Sequence, residues 1–567
     1  MEEGGAGKLN FNSLEFLIFL PVVVLLYWLL PHKGRWILLL AASYLFYMSW
    51  NVWLVGLIFL TTLTAYIAGI GIDRTENKKA KKAWLVGTLI ICLGALVFFK
   101  YINFILESVT GIVRLFHSEQ DDIVLNVILP VGISFYTFQT LSYVIDVYRG
   151  DFKAERHFGY FALYVSYFPQ LVAGPIERPQ TLLPQLKERH HIEEEDLLSG
   201  AKWLLSGFFR KCVVADFCGI FVNKVYADLG NANGLAVFAA SALFLIQIYN
   251  DFAGYSEIAM GSARLMGVRL TKNFDKPLTS TSYTEFFRRW HITLNQWFTQ
   301  YVYIPLGGNR KGKARKILNT LIVFALCGLW HGANWTFVLW GLVAGVVVSV
   351  ETLLKKSPKN SLPPANAATC ATHAASAKIA DSMASIVSDS TSSAAAFTIL
   401  ANSVAPAATV PEAAADSVTA LPKTAVSSAK ADENPTVRLL RQIAIFILFT
   451  FSCVLFRAQS LREVGIAFRQ MFTAWDWSEG YFDSALSALG MNAIQILQLT
   501  VAIVTMSLLY RLTEERREPS LGLLCPVAYT EGKTNVGLFI YGIFAVVLFW
   551  LGLLSSGDVS GFEYFQF

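Results

Sequence analysis

Residues 317–350 run for thirty-four positions without an Asp, Glu, Lys or Arg. A run this long and apolar reads as membrane-buried, since about 20 such residues already span a bilayer core. Extended to Leu354, it would measure ~57 Å as one helix against a hydrocarbon core of ~30 Å. It must therefore be steeply tilted, broken or folded as a pair, and Gly332 is the predicted break. In the middle, within Leu329-Trp330-His331-Gly332-Ala333-Asn334-Trp335, stands His331. An imidazole there is costly unless it is paired or faces a polar cavity, so it marks a functional site. A histidine bonded only for structure is the competing reading, and Cys327, one turn earlier, raises a Cys–His nucleophile pair. Counting from Lys316 places His331 ~22 Å from the charged end, at or past the midplane.

The rest of the chain repeats this pattern. Of 567 residues, 54% are hydrophobic and 15% charged, against roughly 25% charged in soluble proteins. The expected fold class is an all-α polytopic membrane protein. Apolar stretches of spanning length fall at 14–30, 36–50, 53–72, 83–106, 123–145, 200–225, 235–260, 317–354, 439–456, 486–512 and 536–554. Residues 14–30 read as a retained span, because 1–10 show no signal-peptide pattern. The basic residues sit in short clusters between these stretches, which excludes nucleic-acid binding and matches positive-inside placement. Arg74, Lys78, Lys79, Lys81 and Lys82 assign 73–82 to the cytoplasm. Counting spans then puts Lys33, Arg35 and 149–156 inside and the acidic 119–122 outside. Segments 310–316 and 511–517 also read as cytoplasmic, and both chain ends as outside. The seven cysteines show no CxxC and imply neither disulfide nor metal site.

Two regions depart from the pattern. Residues 160–179 carry Pro169, Gly174, Pro175 and Pro179 and read as a re-entrant loop buried in protein. Residues 357–434 are low-complexity Ala/Ser/Thr and read as a disordered linker, inert in a cytoplasmic loop. They separate a transmembrane core at 1–356, with both candidate histidines, from completing helices at 435–567.

The second candidate histidine is His291. Ser282 followed by Glu285 is a capping-box pattern, so a helix is predicted to start there. At helical spacing Glu285 pairs with Arg288 or Arg289, and Arg288, His291 and Asn295 share a polar stripe. An interfacial helix with a snorkelling arginine pair is the alternative. Asn250, Asp251, Tyr255 and Glu257 interrupt 235–260, with Asp251 and Tyr255 on one helix face; Gln139, Tyr143 and Asp146 form a similar group. For both groups structural pairing is preferred over catalysis.

Three stretches, Phe287-Arg-Arg-Trp-His291-Ile-Thr-Leu, Gly328-Leu-Trp-His331-Gly-Ala-Asn334 and Phe252-Ala-Gly-Tyr-Ser-Glu-Ile-Ala, resemble the membrane-bound O-acyltransferase family. Within it the alginate O-acetyltransferase membrane-subunit group is most similar, with teichoic-acid D-alanylation proteins as relatives. Leu129-Pro-Val-Gly-Ile-Ser-Phe-Tyr, Tyr143-Val-Ile-Asp-Val-Tyr-Arg-Gly-Asp151, Ala173-Gly-Pro-Ile, Tyr303-Ile-Pro-Leu-Gly-Gly-Asn309-Arg and Val454-Leu-Phe-Arg-Ala458 extend the match in the same order. The resemblance implies about 11 or more transmembrane helices, with re-entrant and interfacial ones, around a central tunnel. It makes His331 the catalytic histidine and His291 its upstream partner, with Arg288, Arg289, Asn295, Asp251, Tyr255 and Asn334 supporting the donor or the site. It implies an acyl thioester donor, acetyl-CoA first, with no tightly bound cofactor or metal. It also implies a polysaccharide acceptor or a partner acyltransferase of the SGNH-hydrolase type outside an inner or plasma membrane. The 357–434 linker is absent from the family pattern. A transporter or an export-complex scaffold is the reading from another class; the internal symmetry a transporter would show is not visible.

Overall fold

The computed structural model describes residues 9–116, 124–354, 434–476 and 478–513. Its regular structure is entirely helical among these residues, as a chain must be when lipid offers the backbone no hydrogen bonds. The chain divides into two units, Met1–Glu351 with Arg441–Phe567, and Thr352–Leu440. Of the second, only the ends of two helices are described. Apart from Asn434, the predicted linker lies outside the described residues, as do the acidic loop at 119–122, the expected span at 536–554 and the chain end.

Five helices are long and apolar enough to cross a membrane: Leu54–Arg74, Lys78–Arg114, Gly234–Arg264, Trp335–Leu354 and Pro435–Arg457. Tyr481–Leu489 and Ala493–Ser507, bent by 66°, together make a sixth. The protein is a multi-pass membrane protein. The long run at 317–354 is broken at Gly332 into two helices, Gly312–His331 and Trp335–Leu354. They return on each other through glycines: a Cβ on Gly328 would lie 2.2 Å from the Phe337 carbonyl oxygen, and one on Gly341 2.2 Å from that of Phe324.

Within the first unit Gly234–Arg264 is the most deeply enclosed helix, with every residue from Gln247 to Arg264 buried. It meets Glu194–Phe208 backbone to backbone, since a Cβ on Gly254 or Gly261 would lie 2.8 Å from the carbonyl oxygen of Gly207 or Gly200. Small residues at such crossings let membrane helices approach closely.

Two expectations change. The stretch at 123–145 is helical only over Ile133–Arg149. Pro130 lacks an N–H, and Gly132 sits at φ 72°, in the left-handed region, so the helix cannot start earlier. The stretch at 160–179 is not a loop throughout, because Phe158–Ser166 is a helix. The remainder is irregular, and every residue from Phe161 to Glu177 is buried. Several of its polar groups are bonded within the protein: Gln170 Nε2 donates to Tyr164 O at 3.0 Å, and the Glu177 carboxylate accepts from Thr181 Oγ1 at 2.8 Å.

The charged loops gather at two ends of this unit. At one, Arg156 pairs with Asp73, Lys187 with Glu155, and Arg264 with Asp196 at 2.7 Å. At the other, Arg457 donates to Asn223 at 2.9 Å, Asn233 to Ser484 at 2.8 Å and Trp335 to Ser108 at 3.1 Å.

Candidate active site

His331 is the last residue of Gly312–His331, which stops because Gly332 turns extended at φ −155° and ψ 149°. A helix end inside a membrane leaves carbonyl groups that lipid cannot satisfy. Here the π-helical turn Val97–Tyr101 supplies the donors. Lys100 Nζ donates to Trp330 O at 2.7 Å and His331 O at 3.2 Å, and Tyr101 Oη donates to Leu329 O at 3.0 Å. Lys100 Nζ also lies 3.5 Å from Ser134 Oγ. The imidazole of His331 is 6% exposed and packs between Trp330, Trp340 and Phe456, at ring separations of 5.0, 5.4 and 5.2 Å.

His291 lies 6.4 Å from it, ring to ring. The helix predicted from Ser282 begins as expected, with Ser282 Oγ accepting from Glu285 N at 3.1 Å. It ends at Arg289, and Ile292–Phe298 starts a second helix. His291 stands between them at φ 44° and ψ 56°. A non-glycine residue in this region is strained and is held only where its surroundings over-determine it. The stripe of Arg288, His291 and Asn295 read from a continuous helix is therefore not formed. Arg288 is exposed, and Arg289 pairs with Glu285 at 2.7 Å and donates to Thr279 at 3.2 Å. Asn295 Nδ2 caps the broken end, donating to Phe287 O and Trp290 O at 2.6 Å each. On the far side Asn273 Oδ1 lies 3.2 Å from His291 Nδ1.

Two cavities meet at this point. One, of about 220 Å³, is lined by Lys100, residues 129–135, Val172, Trp330 and His331, and it has room for several waters. The other, of about 30 Å³, is enclosed by aromatic rings, among them Phe286, Trp290, Trp340, Phe449 and Phe456. His331 is the one residue that lines both.

The remaining predicted site residues lie apart from this pair. Asp251 is fully buried against Lys211 at 2.9 Å, and Lys211 also holds Asp216 at 2.7 Å. Glu257 and Asn250 bond to Arg210 at 2.8 and 3.0 Å. The partners Arg210 and Lys211 come from the π-helical turn Phe209–Ala215. Tyr255 stacks on Phe11 at 4.5 Å. Asn334 bridges the helix break, donating to Gln459 O at 2.8 Å and accepting from Thr336 N at 3.0 Å. Asp146, in the other polar group, accepts from Arg178, Gln180 and Tyr301 at 3.0, 2.8 and 2.8 Å. Cys327 is buried in the apolar core. No cluster of His, Cys, Asp or Glu among the described residues could hold a metal ion.

Sequence reading missed Lys100, Asn273 and Ser134. Lys100 carried a usable signal, being the one charged residue in the apolar stretch 83–106, and the cost argument that singled out His331 applies to it equally. Asn273 carried none, because an uncharged amide in a loop is commonplace.

Comparison with known proteins gives a match of residues 157–360 to the model for MBOAT, the membrane-bound O-acyltransferase family. A probable alginate O-acetylase AlgI of Azotobacter vinelandii is 39% identical over 358 residues, covering 62% of this chain and 71% of that protein. A peptidoglycan O-acetyltransferase of Helicobacter pylori is 33% identical over 377 residues, covering 60% and 70%. A teichoic acid D-alanyltransferase of Streptococcus thermophilus is 29% identical over 246 residues, covering 41% and 59%.

Proposed function

The chain belongs to the membrane-bound O-acyltransferase family, and from that premise we propose that this O-acyltransferase carries an acetyl group across the membrane. The donor is a cytoplasmic thioester, acetyl-CoA in the first instance. The acceptor is a hydroxyl outside, on a polysaccharide or on a partner acyltransferase of the SGNH-hydrolase type. Relatives named for alginate and peptidoglycan acetylation support a sugar-polymer route. D-alanyl transfer is the second reading, supported by the teichoic acid D-alanyltransferase relatives.

The observation that carries the proposal is the place of His331 between a larger cavity, to which Lys100 and Ser134 bring polar groups, and a smaller one walled by apolar and aromatic side chains. The acceptor hydroxyl enters the larger cavity, where a ring nitrogen of His331 takes its proton. The hydroxyl oxygen then attacks the thioester carbonyl carbon, giving a tetrahedral oxyanion. As the carbonyl reforms, the C–S bond breaks, and the leaving thiolate takes the proton back from the imidazolium. The products are an ester and a free thiol. Lys100, at the wall of the larger cavity, holds the helix end that carries His331 in place for this chemistry. Charge supports this direction: the end with Asp73 and Arg156 adjoins the basic 73–82 cluster, as a cytoplasmic face does under the positive-inside rule.

Labelled acetyl-CoA and acceptor, supplied to membranes holding equal amounts of each variant, test this reading. His331→Gln is expected to lower transfer by roughly 10²–10⁴-fold, the usual contribution of a general base. Transfer at the wild-type rate would remove His331 from the chemistry. A wild-type protein that releases no free CoA in the presence of acceptor would remove the enzyme reading in favour of a conduit or scaffold.

A further inference from the structure

We propose that Asn273 is a positioning residue that fixes His291 in the tautomer protonated at Nδ1, leaving Nε2 as a hydrogen-bond acceptor. The backbone N–H of Thr293 can only donate, and it lies 3.2 Å from one amide atom of Asn273, which must therefore be the oxygen, Oδ1. Thr293 Oγ1 lies 3.0 Å from the same oxygen. Because that hydroxyl already accepts from Ile176 N at 3.1 Å, its own proton points to Asn273. His291 Nδ1 lies 3.2 Å from this oxygen as well. Two lone pairs cannot bond, so Nδ1 carries a proton. The main chain repeats the grip, with Ile292 N donating to Asn273 O at 2.9 Å. Asn273 itself is fully buried. It thus holds the strained His291 turn by both backbone and side chain.

The second ring nitrogen follows from the surroundings. Phe252, Trp330, Phe135 and Phe274 ring the imidazole at 4.7, 5.6, 6.2 and 6.5 Å. An imidazolium in such a cage is expensive, so the ring is neutral and Nε2 keeps its lone pair. In this tautomer Nε2 cannot donate to an oxyanion. Its role is to accept a hydrogen bond, from the acceptor hydroxyl or from an amide N–H of the thioester arm. That catalytic consequence rests on the proposed function; the tautomer does not.

The two parts are therefore tested separately. Solid-state ¹⁵N NMR of the full chain with labelled histidine, in lipid, reads the tautomer directly, the His291 signal being assigned by its loss in His291→Gln. A proton on Nδ1 alone is the expected result, and one on Nε2 or on both nitrogens overturns the proposal whether or not transfer is ever observed. In the transferase assay Asn273→Leu is expected to lower kcat roughly 10²-fold with KM little changed, as losing the correct tautomer does elsewhere. Asn273→Asp, which keeps an acceptor at the same place, should recover at least a tenth of wild-type kcat. Wild-type kcat in Asn273→Leu, or equal loss in both variants, overturns the assignment.

Discussion

His331 and His291 face each other across 6.4 Å inside a cage of aromatic rings, yet each is held by a polar side chain from another segment. For His331 the holder is Lys100, 231 positions away, which ties down the carbonyl groups of Trp330 and His331. Replacing it by Met keeps the volume and removes the donors. Each carbonyl left unsatisfied in the interior costs about 1–3 kcal/mol. Lys100→Met should therefore lower the thermal midpoint of the purified protein and slow transfer, while Lys100→Arg retains more of both. Midpoint and rate both unchanged would mean that Lys100 does not hold the helix end. At this scale the sequence was half-informative. The cost of a buried imidazole singled out His331, but local spacing placed His291 on a helix that its own backbone breaks.

At the scale of elements, close approach between helices is built from glycine. Gly341 admits the Phe324 carbonyl group where a Cβ would lie 2.2 Å from it. Because the helices Gly312–His331 and Trp335–Leu354 pack on each other here, any separation moves His331. Gly341→Ala is expected to cost about 1–3 kcal/mol, as overpacking does, and to reduce transfer. Gly87→Ala, at a helical position with nothing within 4 Å, is the control and should be neutral or slightly stabilising. The measurement is thermal unfolding in detergent beside initial rates; equal behaviour of the two variants would count against the argument. The length of the apolar run called for a tilt, a break or a folded pair, and Gly332 marked where a break would fall. Two of the three π-helical turns among the described residues, Val97–Tyr101 and Phe209–Ala215, were not legible in the sequence. Each bonds residues of distant segments, and neither leaves a mark in local hydropathy.

For the molecule as a whole, charge placement makes a claim about sidedness. Lys81 lies beside the basic loop at the end that holds Asp73 and Arg156, and Ser478 at the end that holds Asn233 and Ser484. With the native cysteines replaced, Lys81→Cys should react with an impermeant thiol reagent only after the cytoplasmic face is opened. Ser478→Cys should react in intact cells, and the reverse pattern would invert the topology. What the sequence determined by itself was the solvent, the all-helical class and the family. Long uncharged runs can exist only in lipid, lipid permits only internally bonded backbone, and ordered motifs survive as text. What the tertiary structure decided was the site. Lys100, Asn273, His291 and His331 come together only through packing across up to 231 positions, and the strained turn at His291 exists because Asn273 holds it. Periodicity reports which face of a segment is apolar; it is silent on which distant polar group that segment will meet.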